Sequence, residues 1–296
     1  MSTELTIAQD RGVSMAELMG VAAPSSGAKT SRMIDRLTQV HSPIMGEVEF
    51  NGKKMKTEVV PTGSLKMQNG EDVVYSTSAT VRIFMVRQQW QRWNGESGEM
   101  EKSVMSNSLS GDLQDSIGGY NLGRPSGYIE DFNALPQATK DLMRTVKRVK
   151  IYMGELTLDN PVNALGEPAE VGSNFTNIPF ILDCKNRDSI KAIDDAIGAI
   201  TKGNQLPIHG TIKLTGSEGS IPTGATFGKI DAAKHGSHSG ADGDNDRLQM
   251  FLDHIENQNG RILDLFHERN DRSLSPEDAK VVNGIIESND FVEVDD

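Results

Sequence analysis

The sequence has little cysteine, few aromatic residues and no long apolar run. Its 296 residues include one cysteine, two tryptophans and four tyrosines, and aromatic residues make up 5% of the chain. The single thiol, Cys184, excludes an intramolecular disulfide framework and a multi-cysteine zinc site. Apolar runs such as IFMV at Ile83–Val86 are far shorter than the roughly 20 residues that cross a bilayer. No membrane-spanning helix is therefore predicted.

The composition is that of a globular protein. Hydrophobic residues make up 36% and charged residues 24% of the chain, which allows one or two domains with a packed core. The N-terminal stretch MSTELTIAQDRG lacks the apolar region of a secretory signal. We therefore expect a cytoplasmic protein. The sequence contains no pattern that requires a cofactor.

The negative charge is concentrated at the C-terminal end. The formal net charge is -12. The segment from Gly240 to Asp296 holds 15 acidic and 5 basic residues, so it carries most of this charge and the rest of the chain is nearly neutral. Such an asymmetry is typical of an interaction tail.

Composition and spacing divide the chain into four regions. We predict a flexible N-terminal arm over residues 1–30, because its small and polar residues show no periodicity. A β-rich body follows over 31–233. A linker rich in Gly, Ser and Asp is predicted over 234–246, and an acidic helical region with a tail over 247–296.

The body is predicted to be mainly β with inserted helices, an α+β protein. Short β-branched runs separated by turn signals such as Asn51-Gly52 favour strands. Helices are predicted at about 137–147 and 189–202, the second with Asp188 as its N-cap. One long strand and two inserted helices suit an elaborated oligonucleotide-binding (OB-like) β-barrel, followed by the C-terminal acidic region.

The most unusual stretch is VRIFMVRQQWQRW, residues 81–93, which holds both tryptophans and three arginines. Side chains of a strand alternate between its two faces. If the alternation is strict, one face carries Arg82, Phe84, Val86, Gln88, Trp90 and Arg92. The other face starts with the apolar residues Val81, Ile83 and Met85. Rings flanked by cations suit single-stranded nucleic acid, because bases stack on rings and cations hold phosphates. The alternative is that the rings belong to the core while the arginines reach solvent along its edge.

Two further segments add cations and rings. Basic residues cluster between residues 140 and 150, and a glycine-rich loop at 116–128 contains two tyrosines and an arginine. An ordinary solvated surface is the alternative for both. The residues predicted to bind nucleic acid are Arg82, Phe84, Arg87, Trp90, Arg92, Trp93, Tyr120, Arg124, Lys147, Arg148, Lys150 and Tyr152.

A catalytic alternative rests on three residues. The strand end Asp183-x-Lys185, together with Asp159 after the preceding strand, resembles the carboxylates and lysine of metal-dependent nucleases. These residue types are common at strand ends, so we expect a non-enzymatic protein without a metal site.

The order of these parts resembles the single-stranded-DNA-binding proteins of tailed bacteriophages and bacteria: a strand-rich body with Arg, Trp and Phe clusters, a linker, and an acidic end with a lone Phe. The resemblance implies that the body binds the DNA strand. It also implies that the acidic tip competes with DNA and recruits replication or recombination proteins. The tail residues that would do so are Phe291, Glu293, Asp295 and Asp296. The chain ends in Asp296 where that class has an aromatic residue.

The expected function is therefore sequence-tolerant binding of single-stranded DNA in phage or bacterial replication and recombination. Homo-oligomerisation is compatible with this function, and binding to a membrane is not expected. A virion or assembly protein and a metal-dependent nuclease are the alternatives.

Overall fold

The computed structural model describes residues 34–50, 53–69, 72–127, 129–169, 175–220 and 224–273. The predicted N-terminal arm and the four tail residues from Phe291 to Asp296 lie outside these ranges. So does the turn pair Asn51-Gly52, but the strands on both sides of it pair with each other as the turn signal predicts.

Strands dominate the described ranges. They are β1 Asp35–Gln39, β2 Ile44–Phe50, β3 Lys53–Val60, β4 Leu65–Asn69, β5 Asp72–Ser76, β6 Ser78–Asn94, β7 Glu99–Lys102, β8 Lys147–Asp159, β9 Ile178–Cys184, β10 Gly210–Ser220 and β11 Thr226–Ser237. The helices are α1 Gln137–Thr145, α2 Arg187–Thr201 and α3 Asp244–Ser273, with short 3-10 helices at Asn121–Gly123 and Pro207–His209. The prediction of a mainly β protein with inserted helices is confirmed.

Nine strands form one sheet in the order β11-β10-β6-β8-β9-β1-β4-β5, with β7 paired to the far end of β6. All neighbours are antiparallel except β1 and β9. The remaining strands, β2 and β3, form a separate two-stranded sheet. Residues 53–58 of β3 are all exposed, and Met45 and Met55 are each more than half exposed.

The large sheet curls without closing into a barrel. The loop between β3 and β4 packs against β10 so closely that a Cβ on Gly63 would lie 2.2 Å from the carbonyl oxygen of Ser217. Gly63 also has a φ of +87°, which favours glycine. Among the described residues, the two edge strands of the sheet, β11 and β5, do not pair with each other, so the closed barrel predicted from the sequence does not form.

The main core lies on the inner face of the curled sheet and is covered by α2. Ile193, Ala196 and Ile200 of α2 pack with Tyr152 and Phe180 from the strands. A helix over 189–202 with Asp188 as its N-cap was predicted, but the helix begins two residues earlier. Asn186 is the N-cap, and its side chain accepts hydrogen bonds from the backbone N–H groups of Asp188 and Ser189.

A β-bulge interrupts β6 and changes which residues share a face. Ile83 lies opposite Gly154 and Met85 opposite Met153, so Phe84 is an additional residue in the strand. A bulge shifts the alternation of side chains by one position. Val86 consequently packs on the main core together with Val81 and Ile83. The predicted single face from Arg82 to Arg92 is therefore wrong.

Helix α3 packs on the outer face of the sheet, opposite α2. Phe251 is fully buried, and its ring lies 5.9 Å from that of Phe84. Asn259 accepts from the backbone N–H of Met105 and donates to its carbonyl. Residues 234–246, predicted to be a linker, comprise the end of β11, a connection over 238–243 and the first residues of α3. None of the helices in the described ranges has both the length and the apolar character needed to cross a membrane.

Candidate nucleic-acid interface

The pairing of β6 with β8 brings two of the predicted segments together. Trp90 lies opposite Arg148, and Gln91 lies opposite Lys147. These residues are far apart in sequence, and the sheet register alone makes them neighbours. The exposed start of β8 therefore supplies cations beside the aromatic end of β6.

A pocket of about 310 Å³ opens beside these residues, and we call it the arginine pocket. Its wall includes Gln88, Trp90, Ser108, Ser110, Arg124 and Arg148. Two guanidinium groups, two hydroxyls and an amide belong to its lining, and none of the described residues that line it carries a carboxylate. Such a donor-rich, acid-free wall favours an anionic ligand.

Arg124 is the central cation of the arginine pocket. Its guanidinium carbon lies 4.6 Å from the centre of the Trp90 ring, a cation–π arrangement. Burial lowers its pKa. Within the described residues, neither Arg124 nor Arg148 forms a salt bridge with a carboxylate, and Arg148 is exposed. A bound phosphate would supply the missing negative charge.

Trp90 forms part of the wall of the arginine pocket and does not offer an open ring on which a base could stack. It is 9% exposed and packs with Leu122 and Val146. Its buried Nε1 has no hydrogen-bond partner among the described residues. An unsatisfied buried donor is unfavourable by about 1–3 kcal/mol, so an acceptor at this wall would be stabilised.

The exposed rings lie elsewhere. Trp93 is 60% exposed, and because it is three residues from Trp90 it points to the other side of β6. Tyr120 is about half exposed and contacts the ring of Phe266 edge-on. Arg92 forms a salt bridge of 2.6 Å with Glu101, which leaves it less available to a ligand.

Four of the residues predicted to bind nucleic acid are instead engaged in contacts that stabilise the fold. Arg82 is buried between Glu155 at 2.9 Å and Asp244 at 2.7 Å, and Phe84 lies beneath α3. Tyr152 is fully buried, and its hydroxyl donates to Asp194. Lys150 pairs with that same carboxylate at 2.7 Å. None of these four side chains is free to contact a strand of DNA.

Arg87 is half-buried and donates to the carbonyl of Val86 at 2.9 Å. Burial lowers its pKa. Lys147 is exposed and donates to the carbonyl of Arg144. Of the predicted set, Trp90, Arg124 and Arg148 therefore meet in one pocket. Lys147 lies next to Arg148 in β8 but points to the opposite face, and Trp93 and Tyr120 present rings separately.

The residues of the nuclease alternative do not meet. Asp183 lies opposite Ile151 in the sheet, eight residues from Asp159, which corresponds to about 26 Å along the strand. Asp159 binds Lys213 and Ser78, and Asp183 binds Arg36. Salt bridging and hydrogen bonding outweigh burial and lower the pKa of Asp159. The described ranges contain no cluster of three or more His, Cys, Asp or Glu that could hold a metal ion.

The sequence did not single out Ser108 and Ser110, which complete the pocket wall. Their hydroxyls are 2.8 Å apart, and both lie in a polar loop with no distinctive motif. No protein-family model matches the chain, and no curated protein or solved structure matches it significantly.

Proposed function

We propose that this protein binds single-stranded DNA with little sequence preference, in phage or bacterial replication and recombination. The observation that carries the proposal is the arginine pocket, where Arg124 and Arg148 lie without a carboxylate partner among the described residues beside Trp90. Guanidinium groups bind phosphate in a bidentate manner, and phosphate contacts carry no sequence information.

Two exposed rings outside the arginine pocket offer additional surfaces on which DNA bases could stack. Trp93 and Tyr120 are each at least half exposed, and stacking of a base on such a ring contributes about 1–3 kcal/mol irrespective of the base. The acidic segment does not argue against DNA binding, because local potential rather than net charge governs phosphate contacts. Recruitment of partners by Phe291, Glu293, Asp295 and Asp296 stays a prediction.

Replacing Arg148 tests the proposal. Arg148 is exposed, so Arg148→Ala should fold normally and remove only a phosphate contact. A charge-assisted hydrogen bond contributes about 1.5–3 kcal/mol, so the affinity for a fluorescein-labelled oligothymidylate should fall about tenfold or more by fluorescence anisotropy. The matched control is Lys202→Ala, which removes an exposed positive charge beyond the end of α2.

Equal affinities of the two variants would contradict the placement of the site. Light scattering on the same samples addresses the assembly alternative, which the exposed hairpin of β2 and β3 with Met45 and Met55 favours. Self-assembly of the wild type without DNA, combined with no anisotropy change at low salt, would favour that alternative.

A further inference from the structure

A second pocket, of about 550 Å³, lies at the ends of β1 and β9, and we call it the edge pocket. Its wall includes Leu182, Phe227 and Ile230, which provide an apolar surface with one ring. Gln39, Arg36 and Lys185 add polar groups. The volume and the mixed lining are typical of a site for a small organic group.

The side chain of Gln39 indicates which kind of group would bind against the apolar surface of the edge pocket. Its Nε2 is buried and has no hydrogen-bond partner among the described residues. A buried donor of this kind is stabilised by an acceptor. Every nucleobase carries such acceptors on its edges, so a base against Leu182 and Phe227 would satisfy the amide.

The charges around the edge pocket favour an anion. Lys185 is exposed at its wall, and Arg36 is bound to Asp183. Two more basic groups, Lys102 and His254, lie within electrostatic range of Arg36, and burial together with the Arg36 charge lowers the pKa of both. Arg261 adds its charge near His254, whereas Asp183 is the one carboxylate among the described residues that raises these pKa values. Of these charged groups, Arg36, Asp183 and Lys185 line the edge pocket, so the exposed Lys185 is the cation that a phosphate there would contact.

The sheet register places the two pockets on the same face. Gln88 of the arginine pocket lies opposite Lys150, and Lys150 lies opposite Cys184 of the edge pocket. Residues directly opposite in a sheet share a face, and two strand spacings amount to about 10 Å. An extended DNA strand spans that distance within a few nucleotides. Lys150 between the pockets is neutralised by Asp194, so the path carries no unpaired negative charge there.

We propose that the edge pocket is a second nucleotide subsite for the strand that the arginine pocket binds. One base lies against Leu182 and Phe227 with the Gln39 amide donating to its edge, and the adjacent phosphate lies at Lys185. This proposal rests on the proposed function, because it extends the same DNA path across β6, β8 and β9.

The first test replaces Lys185 and measures oligothymidylate binding by fluorescence anisotropy. Lys185→Ala should bind an oligonucleotide of about 16 nucleotides several-fold more weakly than the wild type. Its plot of log affinity against log salt should be shallower by about 0.7, the value for one lost phosphate contact. Lys202→Ala, with the same loss of charge about 20 Å away along α2, should match the wild type.

The second test uses the thiol in the pocket wall. Cys184 is the single cysteine of the chain and lines the edge pocket. Bound oligonucleotide should slow its alkylation by N-ethylmaleimide, measured by mass spectrometry. Alkylation is followed at about pH 9, because only the thiolate reacts and burial raises the pKa of Cys184 to about 11.

The outcomes separate this proposal from the proposed function. If the wild type binds DNA but Lys185→Ala behaves like Lys202→Ala and the thiol is not protected, the second subsite is wrong and the DNA-binding function stands. If the wild type does not bind DNA at all, the function itself fails. Protection of Cys184 by thymidine monophosphate without any oligonucleotide binding would overturn the proposal and assign the pocket to a free nucleotide.

Discussion

At the scale of single residues, the environment of each arginine decides its role. Arg82 is 7% exposed and lies between two carboxylates, whereas Arg148 is exposed and lines a pocket without one. Arg247 adds a second cation at 2.9 Å from Glu155, so the buried ion pairs form a chain from β6 through β8 to α3. These ion pairs connect the sheet to α3. Arg148 takes no part in them and stays available to a ligand.

Replacing Arg82 should therefore destabilise the fold. Arg82→Met removes the guanidinium that pairs with the buried carboxylate of Glu155 and with Asp244, and breaking a buried ion pair is unfavourable by about 3–5 kcal/mol. The free energy of unfolding from urea titration should fall by that amount. Arg144→Met is the matched control, because its salt bridge with Asp141 is exposed and contributes at most about 1 kcal/mol. An equal loss of unfolding free energy in Arg82→Met and Arg144→Met would show that the buried ion pairs stabilise the fold no more than the exposed one does.

At the scale of elements, β6 links the core to the candidate site. Its first half pairs with β10 and packs into the core, and its second half pairs with β7 and lines the arginine pocket. The bulge at Phe84 separates the two halves. Gly154 permits it, since a Cβ there would lie 2.0 Å from the carbonyl oxygen of Arg82. Phe84 lies on the outer face, where α3 covers it, and the bulge turns Val86 toward the main core.

The docking of α3 has a direct test. Phe251 is fully buried against Phe84, so Phe251→Ala should lower the free energy of unfolding by about 3–5 kcal/mol. Leu248→Ala on the same helix should have a small effect, because Leu248 is 37% exposed. Urea titrations followed by circular dichroism give both values. A small effect of Phe251→Ala would mean that α3 does not pack on the sheet as described.

The elements that follow local rules were predictable. The helix α2 and the long strand β6 were predicted from the sequence. The bulge was not, because it depends on a glycine in a partner strand some 70 positions away. The burial of Arg82 in ion pairs was not predictable either, since its partners Glu155 and Asp244 are 73 and 162 positions away in the sequence.

At the scale of the whole molecule, the sheet gathers cations from separate segments of the chain. Arg124 comes from a loop, Arg148 from the start of β8 and Lys185 from just after the end of β9. The register nevertheless places one wall residue of each pocket, Gln88 and Cys184, about 10 Å apart on one face. The sequence predicted the first two as binding residues. Lys185 was considered only as part of the nuclease trio, because the edge pocket exists only after the sheet has curled.

The most direct test of the central claim is the salt dependence of single-strand binding by the wild-type chain. Fluorescence anisotropy of labelled oligothymidylate of about 16 nucleotides is measured over a range of salt concentrations. Phosphate contacts by Arg124, Arg148 and Lys147 predict that log affinity falls linearly with log salt, with a slope of about -2 or steeper. An affinity independent of salt, or no binding at the lowest salt, would contradict the account.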